Sequence, residues 1–333
     1  MKRRILLIDF YNAYIRNWLT VPVQNEDGEH FGAVYGFLRT LKYSVELIDP
    51  TEVVIAIDGP QSGLRRKLLY KGYKANRHRE WKRGSISAFD FLSEKEQSGN
   101  FSMQMERLKE YLKAFPLKTI SLPYVEADDI IAEICNLSKP EDEVVIFSTD
   151  SDYFQLLREN KYCFNPIRKK LIGHEQFISN HGYLPSNYIF VKCVSGDKSD
   201  NIPGIKGIGE KTFLKLFPEV MERKIESISE LLEKCKLCLD SPPTMFTPSQ
   251  IKNYKLIFEN EDALRRNYLL MQLSSVEISM NSKSAIRQML DSKVNSFDRF
   301  KIRKLMLEDK IYSQIQYFEE WISAFSKLQL LRG

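Results

Sequence analysis

No apolar run in this 333-residue chain approaches the roughly 18 to 20 residues that a membrane-crossing helix needs. The opening Met1 to Ile8 is too short for an export signal before Asp9 interrupts it, so a soluble cytoplasmic protein with no membrane segment is expected. Cysteine is scarce: Cys135, Cys163, Cys193, Cys235 and Cys238 make an odd number, which argues against a disulfide framework. Cys235 and Cys238 form a lone C-x-x-C, with no second Cys or His pair at a zinc-ligand spacing. The four histidines, His30, His78, His174 and His181, form neither a triad nor a metal-ligand pattern. Internal repeats and low-complexity tracts are absent too.

With 43% hydrophobic residues the chain can bury a sizeable core, as two domains or one elaborated domain. A net charge of +5 is too mild to announce a polyanionic partner, but its distribution is uneven. Between Arg65 and Arg83 the bases Arg65, Arg66, Lys67, Lys71, Lys74, Arg77, Arg79, Lys82 and Arg83 are opposed only by Glu80. Such a run suits either a surface that tracks phosphates or a solvated helix face.

Short runs rich in Ile, Val and Leu, at Arg4 to Ile8, Val53 to Ile57, Lys118 to Leu122 and Val144 to Phe147, read as strands covered on both faces. Between them, Gly32 to Leu47, Ser102 to Ala114, Ala127 to Leu137 and Asp152 to Arg158 read as helices. That alternation predicts an α/β fold with a mostly parallel central sheet flanked by helices. Tyr162 to Asn165 and Lys169 to Ile172 predict further short strands or a hairpin around Pro166. Ser87 to Phe101 reads as a mobile surface insertion. From Asp240 onward Pro-rich punctuation marks a boundary, followed by a helical C-terminal region whose aromatics, Tyr254 to Phe325, suit packing.

Acids cluster where apolar runs end or helices begin: Asp9, Asp58, Glu126, Asp128, Asp129, Asp150, Asp152, Asp197 and Asp200. Carboxylates that converge repel one another, and a hard cation such as Mg²⁺ is what holds them together. Each motif alone has another reading. Glu126, Asp128 and Asp129 suit the positive end of a helix dipole, and Asp150-Ser151-Asp152 after a strand suits an aspartyl-phosphate phosphatase. Asp197 and Asp200 are three apart, so on a helical turn both face one cation. Gly204, Gly207 and Gly209 then form a hairpin entering a helix, whose backbone N–H groups approach a phosphate with Lys206, Lys211 and Lys215 nearby.

Taken together, Gly196 to Thr212, Val125 to Ala132, Ser148 to Asp152 and Tyr73-Lys74-Ala75-Asn76-Arg77 resemble, in order and spacing, the flap endonuclease and 5′-3′ exonuclease superfamily over about residues 4 to 217. The bacteriophage-type members, with RNase H activity on primers, are the nearest in kind. Ser151 departs from the glycine frequent there.

The resemblance implies a divalent-metal-dependent 5′-3′ exonuclease and 5′-flap endonuclease that removes RNA primers and flaps in DNA replication. It implies two Mg²⁺ ions, with Mn²⁺ as substitute: one at Asp58, Glu126 and Asp128 with Asp9 partly through water, the other at Asp152, Asp197 and Asp200, and Asp129 and Asp150 beside them. It further implies Lys74 and Arg77, three apart and so on one helical face, on the scissile phosphate, Tyr73 stacked on a terminal base or buried in the core, Arg66 on nucleic acid, and Gly204, Lys206, Gly207, Gly209 and Lys211 gripping duplex, with K⁺ at that hairpin. The implied organisation is a nuclease domain over 1–239, with a helical arch about 65–115 and a helix-hairpin DNA-binding motif about 185–217, then a helical region over 240–333. Implied partners are DNA with 5′ flaps or single-stranded 5′ ends, RNA-DNA hybrids, a sliding clamp and a single-strand-binding protein, with the chain a monomer in a bacterial host cytoplasm. The competing expectation is an inactive structure-specific DNA-binding protein, in which some acids or Lys74 and Arg77 would be lost.

Overall fold

The computed structural model describes residues 2–76 and 94–330. One six-stranded sheet organises them: β1 (Arg4–Asp9), β2 (Glu52–Ala56), β3 (Lys118–Ile120), β4 (Glu143–Phe147), β5 (Lys161–Asn165) and β6 (Lys170–Ile172), in spatial order β3-β2-β1-β4-β5-β6. The first five pair in parallel, and β6 turns back antiparallel on β5 as a hairpin. The fold is therefore α/β, with a mostly parallel sheet.

Along each central strand, alternate residues serve opposite layers, as the period of two requires. Ile5, Leu7, Val54, Ala56, Val144 and Ile146 belong to one apolar cluster. Leu6, Ile8, Val53, Ile55, Val145 and Phe147 belong to the other. Both faces are thus covered, which is why these strands are almost uninterrupted apolar runs.

Helices α1 (Phe10–Thr20), α2 (Gly32–Ile48) and α4 (Glu94–Leu112) cover the second face, and α3 (Leu64–Leu69) lies between β2 and α4. The first face is covered by α5 (Ala127–Leu137), α6 (His174–His181), α7 (Tyr188–Ser195), α8 (Glu210–Leu216) and α9 (Ile228–Asp240). Beyond residue 240, α10 (Pro248–Glu259), α11 (Glu261–Met271) and α12 (Met280–Asp291) join the first cluster. The last helices, α13 (Arg299–Glu308), α14 (Phe318–Ser323) and α15 (Ser326–Leu330), join the second. No helix among the described residues is long and apolar enough to cross a membrane.

Two expectations need correction. The stretch Ser87 to Phe101 is not a surface insertion in its described part: α4 begins at Glu94, and Phe101 packs edge-on against Tyr14 and Trp18. Asn100 accepts from the Trp18 indole at 3.1 Å, so these residues tie α4 to α1. Asp152 to Arg158 forms a shorter 3-10 helix, Ser151–Leu156, because Asp150 caps it through the Asp152 N–H.

The strand order places the site. The chain lays β2 and β3 on one side of β1, then β4 and β5 on the other, so the order reverses between β1 and β4. A crevice opens beyond the carboxyl ends of strands at such a reversal.

Candidate metal and nucleic-acid site

Asp9 ends β1 and caps α1, accepting from the Asn12 N–H at 3.0 Å. Across the crevice, Asn12 donates to the Thr149 hydroxyl at 2.8 Å and accepts from the Thr149 N–H at 3.1 Å, joining the ends of β1 and β4. Asp58 follows β2 and accepts from the Ala127 N–H at 2.7 Å, capping α5. Asp150 accepts from the Asp152 N–H at 2.9 Å. Strand ends and helix starts thus deliver four acids, Asp9, Asp58, Asp128 and Asp150, that sense one another's charge.

Their electrostatics are unfavourable as they stand. Burial, then the Asp128 charge, pushes the Asp9 carboxyl up to about 7. Burial likewise raises Asp58 to about 6, and burial with the Asp152 and Asp128 charges raises Asp150 to about 8. This is what concentrated negative charge without a full counter-charge does.

Lysines supply part of that counter-charge. Lys192 on α7 meets Asp152 Oδ1 at 2.7 Å and also bonds Asp197 Oδ2. Burial works against an ionised Asp197, yet Lys192 and the Ser199 hydroxyl hold its carboxyl down at about 2. Lys74 donates to Glu126 Oε1 at 2.6 Å. Burial opposes the charged form of Glu126 as well, and Arg66 and Lys74 overcome it, lowering the carboxyl to about 2. Among the described residues no three acids stand close enough to enclose an ion in this arrangement. The donor set nonetheless fits a hard cation: it is all carboxylate oxygen, and Asp9, Asp58 and Asp150 are raised by burial and, after it, by neighbouring acid charges.

Several expected contacts are replaced by others. Arg66 is only 3% exposed, so it cannot track a nucleic-acid surface. Its guanidinium grips both Asp129 oxygens, at 2.8 and 3.1 Å, bonds Glu126 Oε2, and donates to the Leu270 carbonyl at 2.9 Å. Tyr73 is buried with its hydroxyl 3.2 Å from Glu126, which leaves no ring face for a terminal base. Lys74 and its neighbours are not helical: residues 71–76 run as turns, and Lys74 has φ of 55°. Arg77 lies outside the described residues.

Asp197 and Asp200 do not sit on a helical turn either. A small hairpin, β7 (Gly196–Asp197) and β8 (Ile202–Pro203), carries them at its tip. Asp197 Oδ1 accepts from the Ser199 N–H at 2.7 Å and the Asp200 N–H at 3.1 Å, which closes the turn. This tip is stapled to the Lys74 turn: the Lys74 N–H donates to the Asp200 carbonyl at 2.9 Å, Asn201 to Gly72 O at 2.8 Å, and Asn76 to Lys198 O at 2.8 Å.

The glycine segment does join two helices, α7 and α8. Ile205 and Ile208 are buried anchors, while Gly204, Lys206, Gly207, Gly209 and Lys211 face outward. A Cβ on Gly204 would fall 2.3 Å from the Ser195 backbone, and Gly207 has φ of +91°, so both positions demand glycine.

Two residues at the crevice escaped the sequence reading. Lys192 is the sole charge in the apolar helix Tyr-Ile-Phe-Val-Lys-Cys-Val-Ser, five residues before Asp197, and that isolation was a usable signal. Tyr153 follows the D-x-D pair directly, and nothing local marks it.

The chain matches the family model described as "5′-3′ exonuclease, N-terminal resolvase-like domain" over residues 4–182. It is 31% identical over 242 residues to DNA polymerase I of Bacillus subtilis, covering 70% of this chain but 25% of the polymerase. It therefore spans about a quarter of that relative's length. It is 30% identical over 286 residues to the 5′-3′ exonuclease of Buchnera aphidicola from Acyrthosiphon pisum, covering 84% of this chain and 89% of that one. In fold it is similar to the bacteriophage T5 flap endonuclease solved with DNA and metal ions: TM-score 0.61, 20% identity, 92% of this chain and 99% of that one.

Proposed function

Because the chain belongs to the 5′-3′ exonuclease family, a family of nucleases, we propose that it hydrolyses phosphodiester bonds at 5′ ends and 5′ flaps with divalent metal. The observation that carries this reading is the crevice at the β1/β4 reversal, where buried acids outnumber the cations that face them. Asp9, Asp58, Glu126 and Asp128 would hold one Mg²⁺, and Asp152, Asp197 and Asp200 the other, with Asp150 between; Mn²⁺ would substitute. When bound, the ions supply an activated water and positive charge on the attacking and leaving oxygens. Asp129 is removed from the set, since Arg66 takes both its oxygens.

The chain's own groups do the rest. Lys74, now paired with Glu126, would exchange it for the scissile phosphate and neutralise a phosphoryl oxygen as charge develops, with Arg77 as its companion. Lys192 keeps Asp152 and Asp197 together. The outward face of the glycine hairpin, with Lys206 and Lys211, suits the sugar-phosphate backbone of duplex DNA and is the place for a K⁺. Residues 1–239 would form the nuclease portion and the helices of 240–333 would brace the sheet; of the arch expected about 65–115, residues 77–93 lie outside the described residues, and the part from Leu108 to Phe115 packs into the core instead.

The biological setting we propose is replication, with RNA primers and flaps as substrates, the cytoplasm as location (that of the bacterial host if the chain is phage-encoded), and a sliding clamp and single-strand-binding protein as partners of a monomer. An inactive DNA-binding protein is disfavoured, because every assigned acid and Lys74 are in place. Cleavage of a 5′-flap substrate in Mg²⁺ by Asp152→Asn or Asp200→Asn tests the reading: loss of activity is expected, and undiminished activity overturns the two-metal assignment.

A further inference from the structure

Tyr153 stands between the two arms of the crevice. Its ring is 1% exposed and belongs to the apolar cluster beneath the sheet. Its hydroxyl oxygen lies 3.0 Å from Asp9 Oδ2, at the end of β1, and 3.0 Å from Asp128 Oδ1, in the first turn of α5. A phenol carries one hydrogen, so it donates to one of these carboxylates at a time. When both acids are ionised, as cation binding requires, the other oxygen faces the phenol without a hydrogen between them, an arrangement that calls for positive charge close by.

The two contacts also fix a distance. With both oxygens 3.0 Å from a single atom, they cannot be further apart than twice that length. Asp9 is held otherwise by the Asn12 N–H through its other oxygen. The Tyr153 hydroxyl is therefore a shared partner that ties the second oxygen of the β1 acid and one oxygen of the α5 acid to the same atom. Packing alone does not explain it, since phenylalanine would fill the same space.

We propose that Tyr153 is a positioning residue that preassembles Asp9 and Asp128 as joint ligands of one divalent cation, and so sets the affinity for that ion. The inference rests on the metal-dependent reading above. It goes beyond that reading by assigning metal affinity to a group that touches neither ion nor substrate. Side chains that orient ligands in this manner typically alter metal affinity 10- to 100-fold when removed.

The test is Tyr153→Phe, with Mg²⁺ binding to the DNA-free protein followed by calorimetry and flap binding measured in EDTA. Affinity for Mg²⁺ should fall about tenfold or more, while flap binding in EDTA stays close to wild type. A double-mutant cycle with Asp9→Asn adds a second readout: in that background Tyr153→Phe should cost markedly less affinity, because one of the two carboxylates to be aligned is gone. Unchanged Mg²⁺ affinity in Tyr153→Phe, or fully additive effects in the cycle, overturns the proposal while leaving the nuclease reading intact. A wild-type protein that neither binds Mg²⁺ nor cleaves flaps overturns both.

Discussion

Lys192→Met removes one charge from the crevice and keeps the length of the side chain. In the wild type that ammonium lies between Asp152 and Asp197, whose side chains are 18% and 9% exposed. Holding the Asp197 carboxyl at about 2 against burial, below its ordinary 3.8, corresponds to about 2 kcal/mol of stability, which Lys192 shares with the Ser199 hydroxyl and the Asp200 N–H. Leaving Asp152 and Asp197 to face each other adds a repulsive cost, so a loss of about 2 to 3 kcal/mol is expected at neutral pH in EDTA. Urea unfolding of both proteins measures it.

The pH dependence gives the argument its sign. A carboxyl with a depressed folded pKa contributes stability that is present above its unfolded pKa and disappears as pH falls through the folded one. For Asp197 that window runs from about pH 4 to about pH 2. The gap between wild type and Lys192→Met should close across it, and Mg²⁺ at neutral pH should narrow the gap by replacing the missing charge. A gap below about 0.5 kcal/mol at pH 7, within the range of an ordinary surface substitution, or one that persists unchanged to pH 2, would refute the reasoning.

Other outcomes follow from the same geometry. Asp9, Asp58 and Asp150 have raised carboxyls, at about 7, 6 and 8, so the folded state keeps protons that the unfolded state releases. Metal-free stability should therefore fall as pH rises from about 4 to about 8, and millimolar Mg²⁺ should flatten the decline; thermal melts with and without EDTA decide this. Arg66→Met strips Asp129 of its close cation, leaving it Arg65 at 3.9 Å, and leaves Glu126 to Lys74, so it should cost about 3 kcal/mol in urea unfolding; a loss under about 1 kcal/mol contradicts the buried network. Gly204→Ala drives a Cβ into the Ser195 and Val194 backbone, so the hairpin must shift and duplex affinity, read by fluorescence anisotropy, should drop; unchanged affinity removes the hairpin from the DNA contact surface.

Strands β1, β2 and β4 were legible because burial on both faces writes itself as an unbroken apolar run. Helix α5 was legible for a different reason: acids and the Ile-Ile pair follow the 3.6-residue period from its first turn. Helix α1 was passed over, although its buried residues Phe10, Ala13, Tyr14, Asn17 and Trp18 fall at helical spacing. Asn17 on that face, with Asn12 and Arg16 beside it, disguised the stripe.

Misreadings at the site have one physical origin. A run of positive charge says nothing about acids far along the chain, and the partners of Arg66 are Glu126 and Asp129, 60 and 63 residues away. Tyr73 is buried by the same network. The D-x-x-D spacing of Asp197 and Asp200 is compatible with a helical turn and equally with a hairpin tip closed by an aspartate side chain, and the second is what forms. Tyr153 gains its meaning only once β1 and α5 are brought together.

Cleavage of a labelled substrate by the intact protein tests the central claim most directly. A 5′-flap duplex, a nicked duplex and an RNA-DNA hybrid, each labelled at either end, would be incubated with the chain in Mg²⁺ and in EDTA. The crevice of acids predicts hydrolysis that needs Mg²⁺ and stops in EDTA, and the proposed 5′ nuclease function predicts that it proceeds from the 5′ side and leaves 5′-phosphate products. Equal cleavage in EDTA, or no cleavage of any substrate in Mg²⁺ by protein that still binds the flap, would contradict it.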